Sequence, residues 1–369
     1  MPITWAKAYA ITYDIPRDEL FPGPVGTVDQ SATPDQGDDD VKRRAALQLI
    51  TALGAGVTVP PGVLEELLSG IDRVLCLSSD IEEWERIAYD YGHQLYRRPF
   101  EVLIPALTAD LVAVGELLKQ GRPPRDQAGL LRVSAGLSGV LAETLSNMGD
   151  DRAARRTWHT ARQAADASGD RMLRVWVRGR AAQNATWAGS SYGTVMTMVD
   201  EAVEIANDVP SSGLARAYAA GAYMAAFNGD QARANESLRM LKNTFERLPR
   251  TSSEPSVLEF QESQLQWNEA YVRTTFGGKK TSSAIENAEM LYPTTAMAPL
   301  TNLRLMRSMD LIRGREVREG LDLAVTSLSG RPQPVMAMRQ LVSQILETLP
   351  SEARALPAAR DLQVSASGT

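Results

Sequence analysis

Met148-Gly149-Asp150, Ala188-Gly189-Ser190 and Asn228-Gly229-Asp230 stand 40 residues apart, and each joins two stretches of helical periodicity. A glycine ending a helix takes a left-handed conformation that a side chain resists, and an Asp just after it caps the next helix. Gly277-Gly278 and Arg313-Gly314 continue the series at looser spacing. Small residues recur where two helices of a hairpin must approach: Ala154 and Ala161 after the first turn, Ala232 and Ala234 after the third. A single hairpin cannot hide its own apolar face; stacked hairpins can.

Working outward, the same periodicity fills the chain from about residue 62 to 349. Ile81, Trp84, Ile87, Ala88, Tyr91 and Leu95 step by three and four, with Ser79 and Glu82 placed as a capping box. Leu103, Leu107, Leu111, Val114 and Leu118 make the next apolar face. Leu238, Leu241, Phe245 and Leu248 make another, and Val335, Met338, Leu341, Ile345 and Leu349 close the array. Prolines at 123–124, 210, 249, 255, 293, 332 and 350 fall between these faces, where a missing N–H does least harm. Pro105 and Pro299 fall inside helical stretches and are expected to mark first turns. No segment alternates polar and apolar as a half-buried strand does. The reading is all-α, with about fourteen helices in antiparallel pairs.

The ends differ from the body. Residues 1–21 read as a short helix and turn. Residues 22–41 hold Pro, Gly, Asp and Gln with almost no large apolar residue, the composition of a flexible linker. Residues 42–350 form the repeat domain, and the Ala- and Ser-rich residues 351–369 are expected to be a disordered tail.

Charge follows that division. Residues 1–40 carry eight acids against Lys7 and Arg17, so the formal charge of −6 resides there and the rest of the chain is balanced. A neutral body has no long-range field to draw it onto nucleic acid or an anionic membrane. The lone cysteine, Cys76, has no internal disulfide partner and reads as a small buried hydrophobe. Lys42-Arg43-Arg44 before the apolar Ala45–Val59 is shaped like a twin-arginine export signal. It lies far into the chain, behind an acidic segment, with no clear cleavage motif after it. With no apolar run long enough to span a bilayer either, a cytoplasmic location is expected.

The turn pattern resembles tetratricopeptide repeats, which pair a Gly-Asp turn with alanines seven apart in the second helix. Gly149, Asp150, Ala154 and Ala161 fit, and Gly229, Asp230 and Ala234 fit in part. The resemblance implies a right-handed superhelical array whose concave groove is lined by the first helix of each pair. A narrower resemblance is to the tetratricopeptide sensor region of actinomycete helix-turn-helix transcriptional regulators. It rests on Tyr9-Ala10-Ile11 through Ile15–Phe21, the linker, the Arg-Arg segment Arg43–Leu53 and the helix Glu82–Tyr96. Only about twenty residues precede the linker, matching the last helix of a DNA-binding domain that takes about 55–65. Sequence-specific DNA binding by the chain as written is therefore not expected.

Catalytic motifs find no support. Gly189-Ser190-Ser191-Tyr192-Gly193 has the spacing of a nucleophile elbow, but a helix precedes it, and His93 and His159 both come earlier in the chain. Gly278-Lys279-Lys280-Thr281 ends like a phosphate-binding loop, but Arg273 stands where the first glycine belongs. Two histidines and one cysteine at no ligand spacing make no zinc site. A binding protein without metal or cofactor, rather than an enzyme, is expected.

Two candidate surfaces remain. Residues 152–180 carry eight arginines against Asp166 and Asp170, with Arg171, Arg174 and Arg178 on one helix face. That face can hold an anionic partner, the chain's own Asp35–Asp40 run, or only solvent and neighbouring acids. The concave groove, taken in register with the glycine turns, presents Trp176, Gln183, Trp187, Arg216, Tyr223, Phe227, Gln264, Trp267, Tyr271 and Arg304, together with Glu143, Asn147 and Ser308. Aromatic faces with amide and guanidinium groups suit a peptide or protein segment, although such aromatics also serve as packing core. A ligand-dependent change of superhelix curvature, acting on a partner or a homodimer interface, is the mechanism expected. The alternatives are a constitutive protein–protein scaffold, or a DNA-binding regulator whose helix-turn-helix lies upstream of Met1.

Overall fold

The computed structural model describes residues 81–120, 122–249, 255–329 and 336–367. The expected helix of residues 1–21, the linker 22–41, the Arg43–Leu53 segment, Cys76 and Ser79 lie outside these residues. The described residues form fourteen α-helices and no strand. They are α1 (Ile81–Gln94), α2 (Phe100–Leu118), α3 (Pro124–Asn147), α4 (Asp151–Ser168), α5 (Arg171–Trp187), α6 (Tyr192–Ala206) and α7 (Ser212–Phe227). After these come α8 (Gln231–Glu246), α9 (Glu262–Phe276), α10 (Thr281–Met290), α11 (Met297–Arg313), α12 (Val317–Leu328), α13 (Met336–Thr348), a 3-10 turn (Ser351–Ala355) and α14 (Pro357–Ser367).

The 40-residue signal is one turn built three times. Gly149, Gly189 and Gly229 have φ of 84°, 72° and 74°. In each turn the next amide reaches back five residues: Asp150 to the Leu145 carbonyl, Ser190 to Ala185, Asp230 to Ala225. This is the bond pattern by which a left-handed residue satisfies the last carbonyls of a helix. The following helix is then capped: Asp150 accepts from the Ala153 amide, Ser191 from Thr194 and Asp230 from Arg233. At the fifth turn the left-handed residue is Arg315 (φ 73°) and not Gly314. The Glu316 amide still reaches back to the Leu311 carbonyl, so the motif survives with its glycine one place early.

Packing follows the pairs. α3 packs on α4, α5 on α6, α7 on α8, α9 on α10, α11 on α12 and α13 on α14. The first helix of each pair also meets the first helix of the next, from α3 through α13, and α13 comes back to touch α5. α4 shows the amphipathic logic: Ala154, Trp158, Ala161 and Ala165 are buried, while Arg152, Arg155, Arg156 and His159 face out. α7, meeting α5, α6, α8 and α9, is buried almost all round and is built of small residues. Gly179 of α5 and Gly213 of α7 let those two backbones touch: a methyl on Gly179 would sit 2.1 Å from the Gly213 carbonyl oxygen.

Three expectations are corrected. Pro105 lies in the second turn of α2, not its first, whereas Pro299 does fall in the first turn of α11. Ala232 is exposed, and only Ala234 packs. The expected disordered tail from 351 folds as the 3-10 turn and α14, because Ala353, Ala359 and Leu362 find a buried face against α12 and α13.

Candidate ligand-binding site

Between α8 and α9 the chain crosses the first-helix face as a short non-helical strap, residues 255–261. Val257 and Phe260 are fully buried, Val257 in the core built on α1 to α5 and Phe260 in the core built on α7 to α14. A segment with few backbone partners of its own must find them elsewhere. The Val257 amide donates to the Gly92 carbonyl on α1 at 2.9 Å. The Val257 carbonyl accepts from Trp176 Nε1 on α5 at 3.3 Å and from Arg216 Nη2 on α7 at 2.9 Å. Ser212 Oγ donates to the Leu258 carbonyl at 2.7 Å, and Arg216 Nη2 also donates to the Glu259 carbonyl. Three consecutive carbonyls are thus held by side chains of α5 and α7. The Arg216 guanidinium sits 5.6 Å over the Phe260 ring, and Tyr89 donates to Glu259 Oε1 at 2.9 Å.

Beyond the strap lies a cluster of charge. Arg180 Nη1 and Arg216 Nη1 donate to one oxygen, Gln183 Oε1, at 2.9 and 3.2 Å. Arg180 also donates to Glu143 Oε1 on α3. Arg216 is 1% exposed, and its hydrogen-bond acceptors among the described residues are all neutral. Its Nε, the Nε of Arg180 and Glu143 Oε2 are buried without a hydrogen-bond partner. Burial, joined by repulsion from Arg180, brings the Arg216 guanidinium down to about 10. For Arg180, burial acts in the same direction, but Glu143 outweighs it and the guanidinium is held up.

Aromatic rings continue the face. Trp187 lies 5.0 Å from Tyr223, 5.9 Å from Trp267 and 5.4 Å from Tyr271, and Trp267 stacks on Tyr271 at 5.9 Å. Tyr271 accepts from Gln344 Nε2 of α13 at 2.9 Å, and burial pushes its phenol up to about 12. Burial likewise drives Tyr223 well up, against the pull of the two arginines.

The expected groove residues therefore divide. Trp176, Gln183 and Arg216 meet at the strap and its neighbouring charge cluster. Trp187, Tyr223, Trp267 and Tyr271 form the aromatic cluster, buried except for a half-buried Trp187. Gln264 caps α9 by accepting from the Gln261 amide at 3.0 Å. Phe227 and Arg304 stay exposed.

On the arginine face, Arg174 and Arg178 meet neighbouring acids. Arg178 is buried, forks both oxygens of Asp166 at 3.0 and 2.9 Å and bonds Glu201 at 2.9 Å. Arg174 takes Asp166 and Arg162 takes Glu201. Acids from α4 and α6 flank α5 and neutralise that face, leaving Arg171 exposed beside it. Burial would push Asp166 up, but the hydrogen bonds from Arg178 and Arg174 win and hold its carboxyl below its ordinary value.

Arg180 was not among the expected groove residues, although its spacing from Trp176, Gln183 and Trp187 puts all four on one helix face. The strap carries no such signal. Ser191, in the nucleophile-elbow lookalike, is the N-cap of α6, and Gly278-Lys279-Lys280 is the turn entering α10. Among the described residues no group of three His, Cys, Asp or Glu side chains is placed to hold a metal ion. Among them too, no helix is long and apolar enough to cross a membrane. No protein-family model, curated protein or solved structure matches the chain.

Proposed function

We propose that the chain is a regulatory binding module of the tetratricopeptide kind, akin to the sensor regions of transcriptional regulators. It takes a peptide or protein segment on the concave face of a right-handed superhelical array. The repeated left-handed glycine turn, the contacts between successive first helices and the return of α13 to α5 support that architecture.

One observation carries the binding assignment. Trp176, Ser212 and Arg216 already hold three consecutive carbonyls of a non-helical segment. Side-chain donors on backbone acceptors do not depend on the segment's own side chains, so a foreign segment suits them equally. Specificity then comes from the two anchors, an apolar residue and an aromatic three positions later, as in Val257 and Phe260. Burying each stabilises the strap by about 1.5–3 kcal/mol. A partner's segment that replaces the strap must offset that, so one lacking both anchors binds about 10²- to 10⁴-fold more weakly. Because the strap ties one core to the other, exchanging it alters how α1, α5 and α7 are held against α9, and with it the curvature.

The test is complementation in trans. Residues 255–260 are replaced by an equal length of Gly and Ser, and a synthetic peptide of residues 254–261 is added. Saturable binding, lost on adding Arg216→Ala, is expected. No binding by a protein whose circular dichroism remains fully helical removes the assignment.

A further inference from the structure

We propose that the Arg180–Gln183–Arg216 cluster is a binding site for a small organic monocarboxylate with an apolar body, a second ligand distinct from any segment on the strap face.

The argument begins with an imbalance. A buried charge is ordinarily paired, because an unpaired one loses its hydration without recompense. Here two guanidiniums share one carboxylate, Glu143, which bonds Arg180. Arg216, the more deeply buried, has among the described residues only an amide oxygen and two strap carbonyls as acceptors. Both arginines keep a buried Nε without a partner. Guanidinium forks match the paired oxygens of a carboxylate or a phosphate group.

Charge also selects the ligand. Arg180 and Arg216 against Glu143 leave a single positive charge, which a monoanion neutralises and a dianion overshoots. Arg180 keeps 17% of its side chain exposed, so the cluster is open to solvent on that side. Trp187 and Tyr223, 5.0 Å apart, supply an apolar wall for the ligand's body. Arg216 connects this site to the strap: an anion drawn to its guanidinium changes the group that holds the Val257 and Glu259 carbonyls.

Phenylacetate, phenylacetamide and benzylphosphonate are the probes, added to the full chain and followed by calorimetric titration and by the shift in Tm. Phenylacetate is expected to bind saturably and raise Tm. Its neutral amide, and the phosphonate at a pH high enough to make it a dianion, are each expected to bind at least about tenfold more weakly. Arg180→Met is expected to weaken phenylacetate at least about tenfold, since a charge-assisted bond is lost. Glu143→Gln removes the competing carboxylate and is expected to tighten it, whereas a merely structural role for Glu143 gives loosening. The proposal is overturned if acid and amide act alike, if Arg180→Met leaves phenylacetate binding unchanged, or if phenylacetate has no effect on the folded chain at about 10 mM, where even a millimolar site fills. None of these results depends on whether the strap peptide binds in trans.

Discussion

Arg180 on α5 and Arg216 on α7 donate to the same atom, Oε1 of Gln183, at 2.9 and 3.2 Å. Two like charges are held together there by one neutral oxygen. Gln183→Leu leaves both donors without it and is expected to cost about 1–3 kcal/mol. Gln183→Glu puts a carboxylate between the guanidiniums and brings the cluster to neutrality. It is expected to stabilise by about 1–2 kcal/mol and to abolish phenylacetate binding. Urea unfolding of the two variants, which are expected to move in opposite directions, is the check.

The strap is a loop with core energetics. Phe260→Ala empties a fully buried ring site and is expected to cost about 3–5 kcal/mol, a loss more usual in a helix interior. Leu258→Ala, on the same strap but half-buried, is expected to cost much less. Equal, small losses in denaturant unfolding contradict the placement of Phe260 in the core.

Where Gly179 and Gly213 cross, helices α5 and α7 meet backbone to backbone. A methyl on Gly213 would lie 2.4 Å from the Trp176 backbone nitrogen, and one on Gly179 would meet the Gly213 carbonyl. Each alanine variant is expected to cost about 1–3 kcal/mol or more by overpacking. Gly115, inside α2, has nothing within 4 Å of such a methyl, so Gly115→Ala is expected to stabilise by about 0.5–1 kcal/mol. Midpoints of thermal unfolding distinguish the two classes.

These residues also show which features can be read from a sequence. The glycine turns were legible because only glycine takes a left-handed φ cheaply, so spacing alone reveals the repeat. The aromatic face was legible from helical spacing, and Arg180 would have been had the 176, 180, 183, 187 series been followed instead of the local run of arginines. The strap was not, since Pro255-Ser256-Val257-Leu258-Glu259-Phe260 has no period, and its partners Gly92, Trp176 and Arg216 are remote in sequence. The arginine face stayed open between its alternatives for the same reason. Asp166 and Glu201 reach Arg178 from the neighbouring helices α4 and α6, and one helix's pattern does not report what flanks it. The tail misled because Ala and Ser suggest disorder until α12 and α13 supply a surface for Leu362.

The Asp166 network has a pH signature. Its carboxyl is held below the ordinary value of 3.8, so its contribution is complete above the usual carboxylate range. It fades as pH falls through the lowered folded value. Asp166→Asn is expected to destabilise at pH 7 by about 1 kcal/mol at most, because water screens a carboxylate that is 37% exposed. The two proteins are expected to converge in strong acid. A gap that widens on acidification contradicts the network.

The strap's place on the first-helix face is tested most directly by amide hydrogen exchange at Val257, whose N–H donates to the Gly92 carbonyl at 2.9 Å. Protection comparable to that of the α7 amides, on the order of 10³-fold or more over an open chain, is the result expected. Exchange at the rate of an unstructured loop, while α7 stays protected, contradicts the account.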